Sequence, residues 1–198
     1  LPELLNERTR LVAVGAASNA IGTINDAAAI CRMAREAGAL SFVDAVHFAP
    51  HSLTDVQEIG CDFLACSAYK FYGPHIGILF GRKDLLERAD FPKLRPAPET
   101  SNERAETGTL SHESIVGAAA AVDFIASLGD GDTRRQRLTH AFARMHERDS
   151  HLVSRLWSGL ANIDGVRLYG RPPDAHRTAL VASTVGGANS RAVAEFLA

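Results

Sequence analysis

Residues 61–82 read "CDFLACSAYKFYGPHIGILFGR". The first nine, Cys61 to Tyr69, form a continuous apolar run of strand length. A single lysine, Lys70, then stands between the rings of Tyr69 and Phe71, just before a Gly73-Pro74 turn. "GILFGR" follows that turn too soon for a crossover helix, so it is predicted to pair antiparallel with the preceding run. Upstream, "RLVAVGAAS" and "LSFVDAVHFAPH" are further apolar runs. They are separated by "NDAAAICRMAREAGA", which carries helical spacing, Asn25 or Asp26 as N-cap and Gly38 as a stop. A short helix, "LTDVQEIG", leads into the lysine strand. Apolar strands alternating with helices predict parallel βαβ units, hence an α/β fold with a mixed, mostly parallel sheet.

Downstream, residues 91–113 are proline-rich and lack periodicity, the mark of a functional or interface loop. "SIVGAAAAVDFIASLG" is helical. A long amphipathic segment from about Asp132 to Leu160 reads as an inter-domain connector. "GVRLYG", "TALVASTV" and "NSRAVAEFLA" read as two strands and a helix. The expected division is a large domain over 1–129 and, over 130–198, the connector with the start of a small α+β domain.

The chain has 198 residues and a formal net charge of −2, which offers no electrostatic footprint for nucleic acid or an acidic membrane. The cluster Arg134, Arg135 and Arg137 reads as a solvated helix face. No apolar run approaches membrane-spanning length. Three cysteines, Cys31, Cys61 and Cys66, lack CxxC spacing and fall in apolar segments. They read as small buried hydrophobes in a reducing, cytoplasmic setting.

Ligands of parallel sheets gather at the carboxyl ends of the strands. Ser18 and Asn19, Asp44 to His47, and Ser67 to Lys70 all fall at such ends. Asp44 inside "FVDAV" and Lys70 are costly charges to bury. One reading is a buried Asp44–Lys70 ion pair, a weak source of stability. The other is a pyridoxal phosphate site, with the lysine holding the cofactor as a Schiff base and the carboxylate pairing with the pyridinium nitrogen. A dinucleotide site is not favoured: "VGAASNAIG" has Gly15 and Gly22 but lacks the GxGxxG spacing.

Four blocks, "SNAIGTINDAAAICRMAREAGA", "FVDAVHFAPH", "CDFLACSAYKFYGPHIGILFGR" and "ETGTLSHESIVGAAAAVDFIASLG", together resemble the class V aminotransferase family, nearest its cysteine-desulfurase-like subgroup. The resemblance implies the type I fold of pyridoxal-phosphate-dependent transferases and pyridoxal 5'-phosphate as cofactor, with no metal. It implies Lys70 as the cofactor lysine and proton carrier at the substrate Cα, and Asp44 at the pyridine nitrogen. His47 matches a contact to the ring hydroxyl, and Asn19 one to the ring hydroxyl or the substrate carboxylate. Ser67 matches a phosphate-binding hydroxyl. Tyr69 departs from the subgroup, which usually has His there; its hydroxyl could still donate to phosphate. Thr109 in "ETGT" matches a threonine reaching the neighbouring subunit's cofactor, which implies a homodimer.

By the same resemblance the chain is expected to be an internal fragment of one roughly twice as long. A phosphate loop and a ring-stacking residue would precede Leu1, and the persulfide cysteine and carboxylate-binding arginine would follow Ala198. The expected function is a pyridoxal-phosphate enzyme acting on an amino acid, desulfurase-like or aminotransferase-like. The alternative is a scaffold or binding protein that keeps the fold without the chemistry.

Overall fold

The computed structural model describes residues 2–90, 92–100, 102–106 and 108–198. Four strands, β1 (Leu11–Gly15), β2 (Leu40–Asp44), β3 (Phe63–Ser67) and β4 (Gly77–Gly81), form one sheet in the order β1-β2-β3-β4. The first three are parallel, and β4 returns antiparallel against β3 with Ser67 opposite Gly77 and Phe63 opposite Gly81. The expected mixed, mostly parallel sheet is therefore present.

Helix α1 (Ala27–Glu36) crosses from β1 to β2. Asp26 caps it by accepting from the Ala29 N–H, and Gly38 adopts φ 72 just beyond its end. Cys31 and Ala34 on its inner face pack against the sheet. Helix α2 (Val56–Ile59) is one turn, capped by Asp55 and stopped by a left-handed Gly60. After Gly81 comes α3 (Lys83–Arg88), a short helix not anticipated from the sequence, with charged i,i+4 pairs such as Lys83–Glu87.

Helix α4 (His112–Ser127) and the long α5 (Arg134–Ala161) pack on each other. Thr133 and Gln136 close the start of α5 with a reciprocal capping box. The arginines at its first turn are more than a solvated face: Arg134 pairs with Asp123 at 2.9 Å and Arg135 with Asp55 at 2.6 Å. Strands β5 (Val166–Tyr169) and β6 (Ala182–Val185) form a separate antiparallel pair, followed by α6 (Ser190–Leu197).

The sheet's core is built from Ala16, Ala27, Cys31, Val43, Ala45, Cys61 and Leu64. A second cluster joins Ala68 and Phe71 to Ala118, Ala121 and Ile125 of α4 and Ala141 of α5. Cys31 and Cys61 are buried as expected, whereas Cys66 is only half-buried and packs at the margin of both clusters. Burial raises all three thiols above their ordinary value.

Candidate active site

The backbone after β3 turns through one 3-10 helix, Ala68–Phe71. With three residues per turn, Ala68 and Phe71 share a face. Both are buried in the cluster with α4 and α5, which leaves Tyr69 and Lys70 facing outward. This corrects the expectation that the lysine lies in the core. The turn is closed by Ala68 N–H donating to Ile76 O at 3.0 Å and Gly73 N–H donating to Ala68 O at 2.8 Å. Tyr72 takes a left-handed φ of 70, rare for a residue with a side chain. Gly73 is required by close approach: a Cβ there would sit 2.8 Å from the Ala68 Cβ. Pro74 in turn rests on Gly117 of α4.

Asp44 ends β2, opposite Gly15 of β1 and Ala65 of β3. Its side chain is exposed, and its Oδ1 accepts from the Val46 N–H at 2.9 Å. Among the described residues no ion pair joins Asp44 to Lys70, so the buried-pair reading fails. The physical reason is position. Burial alternates along β2, with Ser41 and Val43 buried and Leu40 and Asp44 exposed, so the carboxylate falls on the opposite, open face of the strand.

His47, three residues on, is half-buried. Its Nε2 lies 3.0 Å from the Thr178 hydroxyl, and its ring meets His51 edge-on at 5.0 Å. Burial, with His51 and Lys70 nearby, holds the imidazole below its ordinary value. His51 is also lowered by burial, opposed by Asp149 at 3.8 Å. On the β1 side, Ser18 caps a tight turn, its Oγ accepting from the N–H groups of Ala20 and Ile21. Asn19 stands exposed on that turn, and Asn25 ties back to Gly15 O at 2.7 Å.

A cleft of about 810 Å³ opens between the segments that follow β2 and β3 and helix α5. It is lined by His47, His51, Lys70, Tyr72, Arg148 and Asp149, among others. Two of the expected site residues, Lys70 and His47, thus share one cavity. Asp44, Asn19, Ser67, Tyr69 and Thr109 do not line it. Ser67 is half-buried at the end of β3, and Thr109 is exposed in the bend before α4. The ring of Tyr69 stacks on His75 at 4.9 Å, and the Lys70 ammonium lies 5.1 Å over it, a cation–π contact. None of the three cysteines lines the cleft.

Sequence reasoning missed Thr178 and the α5 contributions. Arg144 and Arg148 carry a readable signal, since i,i+4 spacing places them on one helix face with Ala141 and Met145. Thr178 has none, because its partner is 131 positions away.

The Aminotransferase class-V family model matches residues 1–198. The chain is 34% identical to a cysteine desulfurase of Dickeya dadantii, covering 100% of this chain and 47% of that protein. It is 35% identical to a probable cysteine desulfurase of Synechocystis, covering 98% and 46%. Among solved structures, a cysteine desulfurase from Thermococcus onnurineus superposes with a TM-score of 0.81 at 27% identity, covering 95% of this chain and 47% of that one. One from Escherichia coli gives 0.76 at 28%, covering 96% and 47%. The chain spans about half the length of the curated relatives it matches.

Proposed function

This chain belongs to the class V aminotransferase family, and from that premise we propose that it carries the cofactor lysine of a pyridoxal-phosphate-dependent enzyme acting on an amino acid, with cysteine the first substrate to test. The observation that carries the proposal is the placing of Lys70 in one cleft with His47 at the carboxyl ends of parallel strands.

The donor set fits the cofactor in kind. Lys70 offers an amine for an aldehyde, and the exposed Asp44 offers a carboxylate for a pyridinium nitrogen. His47 offers an imidazole for the ring oxygen, and Ser67 and Tyr69 offer hydroxyls for phosphate. Asn19 would meet the ring hydroxyl or the substrate, and Thr109 the phosphate of a neighbouring subunit in a homodimer. When bound, the cofactor would supply an electron sink for charge developing at the substrate Cα.

The chain's own part is to hold and to move protons. Lys70 Nζ would anchor the group and carry the Cα proton between acid and base steps. The Asp44 carboxylate would accept a hydrogen bond from the pyridine nitrogen and favour positive charge on it. Phe71, buried against α4 and α5, anchors the turn that carries Lys70. The domain division at 129/130 belongs to the same proposal, with the cleft between the sheet and α5, as does a cytoplasmic setting. Among the described residues no helix is long and apolar enough to cross a membrane.

The test is spectroscopic. The full chain mixed with pyridoxal phosphate should turn yellow, bleach with borohydride and keep the label covalently. Lys70→Ala should lose both colour and label. A labelled Lys70→Ala protein, or a wild type that stays colourless, would sink the proposal. With L-cysteine, alanine and sulfane sulfur identify desulfurization, and a 2-oxo acid identifies transamination.

A further inference from the structure

We infer that Thr178 is a positioning residue for His47, fixing its imidazole as the neutral tautomer protonated on Nδ1. Thr178 is 2% exposed, and among the described residues its Oγ1 makes one hydrogen bond, the 3.0 Å contact to His47 Nε2. A buried hydroxyl proton must find an acceptor. If the hydroxyl donates to Nε2, that need is met. If Nε2–H donated instead, the hydroxyl proton would be buried without a partner. An imidazolium is disfavoured on the same ground, since it has only N–H donors to offer, and the nearby Lys70 and His51 add like charge. Nε2 therefore accepts, and the proton resides on Nδ1.

The hydroxyl is held too firmly to swing away. Thr178 N–H donates to Gly22 O at 2.9 Å, and a Cβ on Gly22 would come within 3.1 Å of Thr178 Oγ1. Thr23 bridges to Arg177. The Arg177 guanidinium is 6% exposed, lies 4.9 Å over the Trp157 ring, and donates to the carbonyls of Arg171 and Leu180. One peptide thus joins the turn after β1, which carries Asn19, to the imidazole after β2.

The tautomer stands on this geometry alone. Its consequence rests on the proposed function: the cleft is offered an N–H donor, suited to the ring oxygen of pyridoxal phosphate, and not a lone pair.

The experiment is a long-range proton–nitrogen correlation spectrum of the full chain labelled with 15N-histidine, recorded without pyridoxal phosphate. His47 is identified by the signals lost in His47→Asn. The expected pattern is a protonated Nδ1 and an unprotonated Nε2. Thr178→Val should lose that pattern and Thr178→Ser should keep it. A wild-type His47 with unprotonated Nδ1, or averaged between tautomers, overturns the inference, as does an unchanged pattern in Thr178→Val. If Thr178→Val does not fold, the wild-type and Thr178→Ser spectra still decide. A chain that never turns yellow with pyridoxal phosphate refutes the functional reading and leaves the tautomer result intact.

Discussion

Replacing Asp62 by alanine should destabilise the chain far more than replacing it by asparagine. Asp62 is 6% exposed at the start of β3. Its Oδ2 accepts from Ser41 N–H at 2.8 Å and from Ser41 Oγ at 3.0 Å, and its Oδ1 accepts from Arg82 at 3.0 Å. Its own N–H donates to Ser41 Oγ at 3.0 Å. Asp62→Ala leaves the buried N–H of Ser41 without an acceptor and strips its hydroxyl of one, at about 1–3 kcal/mol for each such group. The Arg82 side chain is 45% exposed, so water recovers most of what it loses. An overall cost of about 2–4 kcal/mol follows. Asp62→Asn can keep its carbonyl oxygen on Ser41 and forfeits mainly the Arg82 contact, for about 1 kcal/mol. In urea, with a slope of about 2 kcal/mol per molar, Asp62→Ala should unfold at a midpoint about 1–2 M lower with unchanged slope. If Asp62→Ala stays within about 0.5 kcal/mol of wild type, or if the two variants are equally destabilised, the reasoning is wrong.

Gly73→Ala should cost about 1–3 kcal/mol by overpacking, because the added Cβ meets Ala68 at 2.8 Å. Since Ala68 opens the lysine turn, the same variant should weaken pyridoxal phosphate uptake, read as a higher concentration for half-maximal yellow colour; full stability with unchanged uptake would contradict this. Cys61 is held up to about 11 against an ordinary 9.0, chiefly by burial. The folded chain therefore keeps that proton while the unfolded chain sheds it, so stability is intact below pH 9.0 and declines as pH rises towards about 11. The slope from this thiol is at most about 1.4 kcal/mol per pH unit. Cys61→Ala should flatten that alkaline limb in urea titrations, and an identical limb would refute it. Iodoacetamide at neutral pH should spare Cys31 and Cys61 in the native chain and label all three cysteines once it is unfolded.

What could be read from the sequence was mostly what neighbours along the chain determine. Asp26 and Gly38 bracket α1 because capping is local. Gly73-Pro74 allows no crossover, so β4 had to turn back on β3. Helix α3 escaped notice because six mainly polar residues carry no hydrophobic period. The burial of Asp44 was misjudged for a different reason. Its neighbours Val43 and Ala45 are fully buried, and the alternation of faces along β2 puts the carboxylate on the open side, which an apolar run with no polar alternation does not reveal. The candidate site was half legible: Lys70 and His47 were found through the strand ends they follow, whereas Arg148 and Thr178 enter the cleft's surroundings from segments whose approach depends on tertiary packing.

The contact between His47 and Thr178 spans 131 positions, whereas the four described strands of the sheet, Leu11 to Gly81, lie within a short length of chain. During synthesis, at about 5–20 residues per second, the imidazole leaves the ribosome roughly 7–26 s before its partner. Through that interval the sheet can form while the ring has no hydroxyl to orient it. The scaffold of the site and its fine alignment are therefore separate events in the life of the nascent chain. A chain halted short of residue 178 would hold the lysine turn and still lack the group that sets the histidine.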